Sequence, residues 1–180
     1  MVAVELRPLA REDFVLLSGW LREPAVDWWW HDDPAPEALE ERYGPSIDGT
    51  DPTRVLIAST DGEPYGLIQW YWLRDEPEFA DEIAVATPVP EAAVSIDYLI
   101  GRADRRGRGL GAAMIEAVLT AVWRAGASAV IVPVHAENVA SGAVLVRTGF
   151  RVAADADLEP DNPAHDRHHV IYRTDRPSSG

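Results

Sequence analysis

The segment Arg105-Arg106-Gly107-Arg108-Gly109-Leu110-Gly111 carries the clearest chemistry in this sequence. Three alternating glycines let a backbone turn tightly and aim successive N–H groups into one concavity. A helix is expected directly behind them, running to about Ala125, with Glu116, Thr120 and Arg124 as its single narrow polar stripe. Its N-terminus adds about half a positive charge and unsatisfied donors. Arginine side chains complete a cradle suited to a diphosphate. Two phosphate-binding designs do not fit. A Walker loop needs Gly-Lys-Ser/Thr, and all 16 basic residues here are arginine. Gly107, Gly109 and Ala112 match a dinucleotide fingerprint formally, but that design needs an acid after the next strand. Val130 to His135 offers none.

The acids point to the opposite kind of ligand. The formal net charge is −14, from 30 acidic against 16 basic residues. A field of that sign repels phosphate backbones and anionic lipids, so no nucleic-acid or membrane partner is expected. The acids gather at residues 23–41 (including Asp27, Asp32 and Asp33), at 75–97 (including Asp81, Glu82 and Asp97) and at 155–166 (including Asp166). Taken singly they read as solvated loops; around one cleft they would trap a polycation. Trp28, Trp29 and Trp30 adjoin the first group, and Trp70 and Trp72 share a strand face opposite Tyr71. Aromatic faces beside carboxylates suit an amino sugar, through ring stacking and cation–π contact.

Asp97 stands in an otherwise apolar strand, where a carboxylate is costly unless paired or working. It is therefore either the partner of a nearby arginine or a group that orients an acceptor ammonium and helps remove its proton. His135 closes the apolar run Val130–Val134, as a strand-end polar residue or a functional one. His165, His168 and His169 show no ligand constellation along the chain, and no metal is expected.

These groups need a framework, and 180 residues with 47% apolar content suffice for one substantial core. Residues 1–176 are expected to form a single mixed α/β domain, with 177–180 as a tail. Strands are expected at Val4–Leu9, Arg54–Ser59, Tyr65–Leu73, Ala93–Gly101, Val130–Val134, from Gly149-Phe150, and at His168–Arg173. Asp61-Gly62 marks a hairpin within a slightly longer loop. Helices are expected at Arg11–Arg22, stopped by Pro24, at Pro36–Tyr43, and at Asn138–Thr148. Residues 74–92, acidic and proline-bearing, read as a loop. No apolar run approaches the roughly 20 residues of a membrane span, the N-terminal residues lack a signal-peptide pattern, and cysteine is absent. A cytoplasmic protein is expected, as a monomer or homodimer.

Arg106-x-x-Gly109-x-Gly111, followed by Asn138-x-x-Ser141 and Arg147-x-Gly149-Phe150, resembles the acyl-CoA signature of the GNAT N-acetyltransferase superfamily. The resemblance implies a GNAT fold: a mixed, mostly antiparallel twisted sheet with a splayed parallel central pair, flanked by helices. It implies acetyl-CoA as co-substrate. The backbone at Leu99 and Ile100 would pair with the pantetheine arm, and the loop of Arg105, Arg106, Gly107, Arg108, Gly109, Leu110 and Gly111 would hold the pyrophosphate. Asn138 would contact the CoA arm. Pro133 fits a parted sheet, since proline cannot donate a ladder bond.

Within that superfamily the chain is similar to the aminoglycoside 6'-N-acetyltransferases. The carrying residues are Val26-Asp27-Trp28-Trp29, Gly62-Glu63-Pro64-Tyr65-Gly66, Gln69-x-Tyr71, the acidic loop, and Ser95-Ile96-Asp97. The implied acceptor is a cationic amine, held by Trp28, Trp29, Asp32, Tyr71, Asp81, Glu82, Asp97 and Asp166. One departure stands out: the superfamily often places a tyrosine seven residues after the asparagine to protonate the leaving thiolate, and here that position is Leu145. Tyr98, Tyr71 or His135 are the available substitutes. Asn138-Val-Ala-Ser141 with Val144-Leu145 also resembles ribosomal-protein acetyltransferases, so a peptide N-terminus is an alternative acceptor. A lysine-type siderophore precursor and a non-catalytic acyl-CoA sensor are the others.

Overall fold

The computed structural model describes residues 3–177, so all but the first residue of the expected tail lies outside it. Among the described residues there are seven strands: β1 (Glu5–Pro8), β2 (Arg54–Thr60), β3 (Glu63–Trp72), β4 (Ala93–Ile100), β5 (Ala129–His135), β6 (Arg151–Asp157) and β7 (His168–Asp175). They form one sheet in the order β1-β2-β3-β4-β5-β7-β6. The β4–β5 pair is parallel and short, held at Ala93↔Ala129 and Val94↔Val130. β1–β2, β2–β3, β5–β7 and β6–β7 are antiparallel. Pro133 lies beyond the last β4–β5 pair and opposite Ile171 of β7, where its missing N–H costs no ladder bond to β4. The mixed sheet with a parting parallel pair is the architecture the sequence motifs imply.

The chain divides into two compact units, Met1–Trp70 with Asp97–Met114, and Tyr71–Ile96 with Ile115–Gly180. In the first, the helices α1 (Phe14–Leu21), α2 (Pro24–Trp30) and α3 (Pro36–Asp48) bury Leu17, Trp20, Leu21, Val26, Leu39 and Tyr43. These pack with Val55, Ile57, Leu67 and Leu99 of the strands. Each such aliphatic residue, once fully buried, contributes about 1.5–3 kcal/mol. In the second unit, α4 (Pro77–Ala84) contributes Ile83 to a cluster with Leu73, Ala93, Ala129, Ile131 and Ile171. Along α5 (Leu110–Arg124) only Glu116, Thr120 and Arg124 are exposed, the stripe read from the sequence. The last helix is α6 (Val139–Arg147).

Four local expectations are corrected. Pro24 does more than stop α1: it occupies the first turn of α2, where its fixed φ suits a helix start. The three consecutive tryptophans are therefore helical, and His31 ends the helix with a left-handed φ of 55°. α3 continues past Gly44 and Pro45 to Asp48 because Arg11 binds Glu40 on one side of the proline and Asp48 on the other. Residues 74–92 hold α4, since Phe79, Ala80 and Ile83 make an apolar stripe among the acids. The hairpin is tighter than expected. Thr60 pairs directly with Glu63, leaving a two-residue turn in which Asp61 and Gly62 both have positive φ, 53° and 76°.

At the end of β4, Gly101 is packed flat against Trp20, such that an added Cβ would lie 2.0 Å from the indole ring. Gly101→Ala is expected to destabilise the protein by about 1–3 kcal/mol or more through overpacking. A thermal melt reads this as a fall of about 2–4 °C per kcal/mol; an unchanged midpoint would mean the Trp20 contact is not built as described.

Candidate active site

The glycine-arginine loop, residues 105–111, lies in the first unit. β4 ends at Ile100, a short 3-10 turn covers Ala103–Arg105, and α5 begins at Leu110. Gly107 and Gly109 have φ of 72° and 80°, a conformation that side chains rarely adopt, and at neither would a Cβ meet an atom within 4 Å. The loop thus opens onto space on the side where those Cβ atoms would point. The first helical bond runs from Ala113 N to Gly109 O at 3.1 Å, so the amides of Leu110, Gly111 and Ala112 have no acceptor within the helix. Tyr65 on β3 fixes the helix start by donating to Leu110 O at 3.3 Å, and burial pushes its phenol up to about 12. A cradle of backbone donors behind two left-handed glycines fits a diphosphate.

The arginines are arranged differently from the cradle read in the sequence. Arg106 Nε donates to Ile100 O at 3.1 Å, and its guanidinium lies 3.9 Å from Glu23. Arg102 binds Asp104 at 2.9 Å and reaches Glu63 at 3.4 Å, and Arg105 lies 3.9 Å from Asp104. Arg106 therefore ties the loop to the strand end, and the exposed Arg108 is the side chain turned to solvent. In this arrangement the donors free to meet an anion are those of the backbone more than of the guanidinium groups.

Asp97 lies half-buried on β4 in the same unit, and Gln69 Nε2 on β3 donates to its Oδ2 at 2.9 Å. That contact fixes the orientation of the carboxylate. The loop arginines bind Asp104, Glu63, Glu23 and backbone carbonyls as above. A second carboxylate, Asp32, accepts from Trp30 Nε1 and from Tyr43 Oη, each at 2.8 Å. Arg42 Nε stands 3.5 Å from the same oxygen. Burial and the Asp32 charge drive the Tyr43 phenol well above its ordinary value, so it stays protonated and donating. The charges of Asp32 and Asp97 both hold the Arg42 guanidinium protonated against its burial. Gln69, Arg42 and Tyr43 are the partners of these two carboxylates that sequence reasoning did not assign. Gln69 stands in the sequence only as part of a motif, and nothing along the chain distinguishes Arg42 from other arginines. Trp28 is 49% exposed and meets Trp29 edge-on at 6.3 Å.

The other expected residues lie in the second unit. Tyr71 packs against the Leu73–Ile83 cluster, which makes it partly a core residue. Asp81 and Glu82 are exposed on α4. Asn138 caps α6, its Oδ1 accepting from Ser141 N at 3.2 Å. Leu145 is fully buried in the core, so the position offers packing and no proton. His135, 8% exposed, lies within 3.1 Å of Asp166 Oδ1 and 3.2 Å of Asp166 O through Nε2. Two residues assigned separate roles from the sequence are thus a pair. The His168 N–H first, and then His135, hold the Asp166 carboxyl below its ordinary range. Along β4, Ala93 to Ile96 are buried and Asp97 is the first half-exposed residue.

Comparison with known proteins gives three findings. A family model described as an acetyltransferase (GNAT) domain matches residues 10–158. An aminoglycoside N(6')-acetyltransferase type 1 of Klebsiella pneumoniae is 27% identical over 128 residues, 65% of this chain. The match spans 58% of that relative's length. The fold is similar to a crystal structure of an aminoglycoside 6'-acetyltransferase with coenzyme A, at TM-score 0.79 and 22% identity over 97% of this chain and 95% of that one. A crystal structure of such an enzyme with coenzyme A and kanamycin gives TM-score 0.78 and 21% identity over 97% and 95%. Among the described residues, no helix is long and apolar enough to cross a membrane.

Proposed function

Given that the chain belongs to the GNAT acetyltransferase family, we propose that it moves the acetyl group of acetyl-CoA to a primary amine of a polycationic small molecule, the 6'-amine of an aminoglycoside. The observation that carries this reading is the half-buried Asp97, oriented by Gln69, on the strand that leads into the glycine-rich loop. The kind of acceptor is supported by the Asp32 carboxylate with its aromatic neighbours, by the net charge of −14, and by the aminoglycoside acetyltransferase relative.

In the proposed step the backbone amides around Gly107–Gly111 hold the diphosphate and fix the thioester. Asp97 anchors the acceptor ammonium and takes its proton, directly or through one water. The neutral amine attacks the thioester carbonyl carbon, the C–S bond breaks with its electron pair on sulfur, and the second proton, shed by the nitrogen as it becomes an amide, passes through water to the thiolate. An amine of pKa about 10.4 needs about 4.6 kcal/mol to reach its neutral form at pH 7. Fixing a nucleophile beside a bound acyl group is worth about 7–11 kcal/mol, so a modest base is sufficient. The chain has no cysteine, which suits direct transfer without an acyl-enzyme thioester.

Thiol release from acetyl-CoA is the test, run with aminoglycosides carrying a 6'-amine, congeners carrying a 6'-hydroxyl, peptides with a free N-terminus, and free lysine. Release with the 6'-amines alone, in an intersecting-line (sequential) kinetic pattern, is expected. Release with peptides alone would replace the acceptor, and tight CoA binding without turnover of any amine would replace the enzyme by a sensor.

A further inference from the structure

We propose that His135, Glu137 and His165 form a binding site for one divalent transition-metal ion of the zinc class, separate from the transfer chemistry. Each of the three offers one ligand atom, and those atoms lie within 4.8 Å of one another. The residues come from two places in the second unit: the end of β5 and its following turn, and the segment between β6 and β7. The His135 and His165 rings stand 4.7 Å apart, tilted by 47°.

The tautomer of His135 favours this role. Its Nε2 faces the two oxygens of Asp166, both acceptors, so the neutral ring carries its proton there. The lone pair is then on Nδ1, where Glu137 N donates across 3.3 Å, a long and weak bond that an ion would displace. A carboxylate that receives one ring N–H while the other nitrogen takes a metal is the usual support of a ligating histidine. Asp166 fills that place.

His165 is set by its own turn. His165 N donates to Asn162 O at 3.0 Å, and the buried Asn162 accepts from Ala164 N through Oδ1 at 3.0 Å. Two ligands are thus carried by ordered backbone, and Glu137 is the exposed, rotatable third. Ligand atoms on a tetrahedral ion with bonds near 2.0–2.1 Å lie about 3.3 Å apart. The gap to the observed spread is small enough for rotation of the Glu137 side chain and a small shift of His165 to close. Two imidazoles and one carboxylate suit zinc, cobalt, nickel or copper and disfavour calcium and magnesium.

The acetyl transfer proposed above calls for no metal, so the ion acts on the fold by fastening the 158–167 segment to the end of β5. Cobalt(II) and zinc, added to untagged, chelator-stripped full-length protein, are the probes. The expected result is one equivalent of cobalt with the visible absorption of a four-coordinate site, displaced by zinc, and a higher thermal midpoint with zinc. His165→Ala and Glu137→Gln are each expected to weaken cobalt binding by at least about 100-fold, the upper end of what even an outer partner of a metal ligand is worth. The apo midpoint of the exposed-residue variant Glu137→Gln should be unchanged. No saturable cobalt binding by the wild-type chain overturns the proposal, as does binding that survives in both variants. Neither result bears on thiol release, so the two readings fail separately.

Discussion

Asp97→Ala is expected to lower kcat/KM for a polyamine acceptor by about 10²- to 10⁴-fold, the range that a positioned general base supplies, while CoA affinity stays within about twofold. The variant removes the one carboxylate that Gln69 orients on the strand ahead of the diphosphate loop. Asp97→Asn separates its two duties. The amide oxygen still accepts from Gln69, so the strand keeps its hydrogen bond, but the anion and the proton acceptor are gone. If Asp97 works chiefly as the base, kcat falls. If it works chiefly as the ammonium anchor, KM rises with kcat near the wild-type value. Steady-state kinetics at saturating acetyl-CoA distinguish these, and an unchanged kcat/KM in both variants would remove Asp97 from the reaction.

The second large effect concerns the loop. Gly107→Ala with Gly109→Ala places a side chain at two left-handed positions, each costing about 1–2 kcal/mol. If the free loop relaxes to escape that strain, the cost falls on binding, and about 2–4 kcal/mol corresponds to roughly 30- to 800-fold in the CoA dissociation constant. The two methyl groups also point into the space left open beside the amides, which adds to the loss. Calorimetric titration with CoA reads the binding term, and a thermal melt of the free protein reads any strain that the loop retains. Arg108→Ala is a useful contrast. Its exposed side chain is the loop guanidinium turned to solvent, so removing it should weaken CoA binding by a smaller, salt-dependent factor. CoA affinity equal to wild type in the double-glycine variant would end the assignment of this loop.

Part of this was legible from the chain alone, for reasons of distance along it. A left-handed turn is a property of one or two residues, so Gly107, Gly109 and the Asp61-Gly62 hairpin announce themselves. The polar stripe of α5 is a period of 3.6 within one helix, and its three exposed positions are the three read from the sequence. The misreadings arose where local signals conflict. Pro24 and Pro77 look like breaks until each is seen in the first turn of a helix. Pro45 looks like an end until Arg11 spans it, from a residue far earlier in the chain. The loop 74–92 was judged by its acid content, which masks a stripe of only three apolar residues on α4.

Charge partners were not legible at all. An arginine may meet any carboxylate the fold brings near, and composition ranks none of them. The sequence by itself determined the family, the architecture that goes with it, and the place of the left-handed glycine turn, because glycine φ angles and helix periodicity are set within a few residues. Tertiary structure alone decided that Arg106 ties down the end of β4, that Arg42 and Tyr43 close on Asp32, and that His135 meets Asp166 and His165. Those contacts join segments remote in sequence, and their energies depend on separation in space and on burial, neither of which a linear order of residues contains.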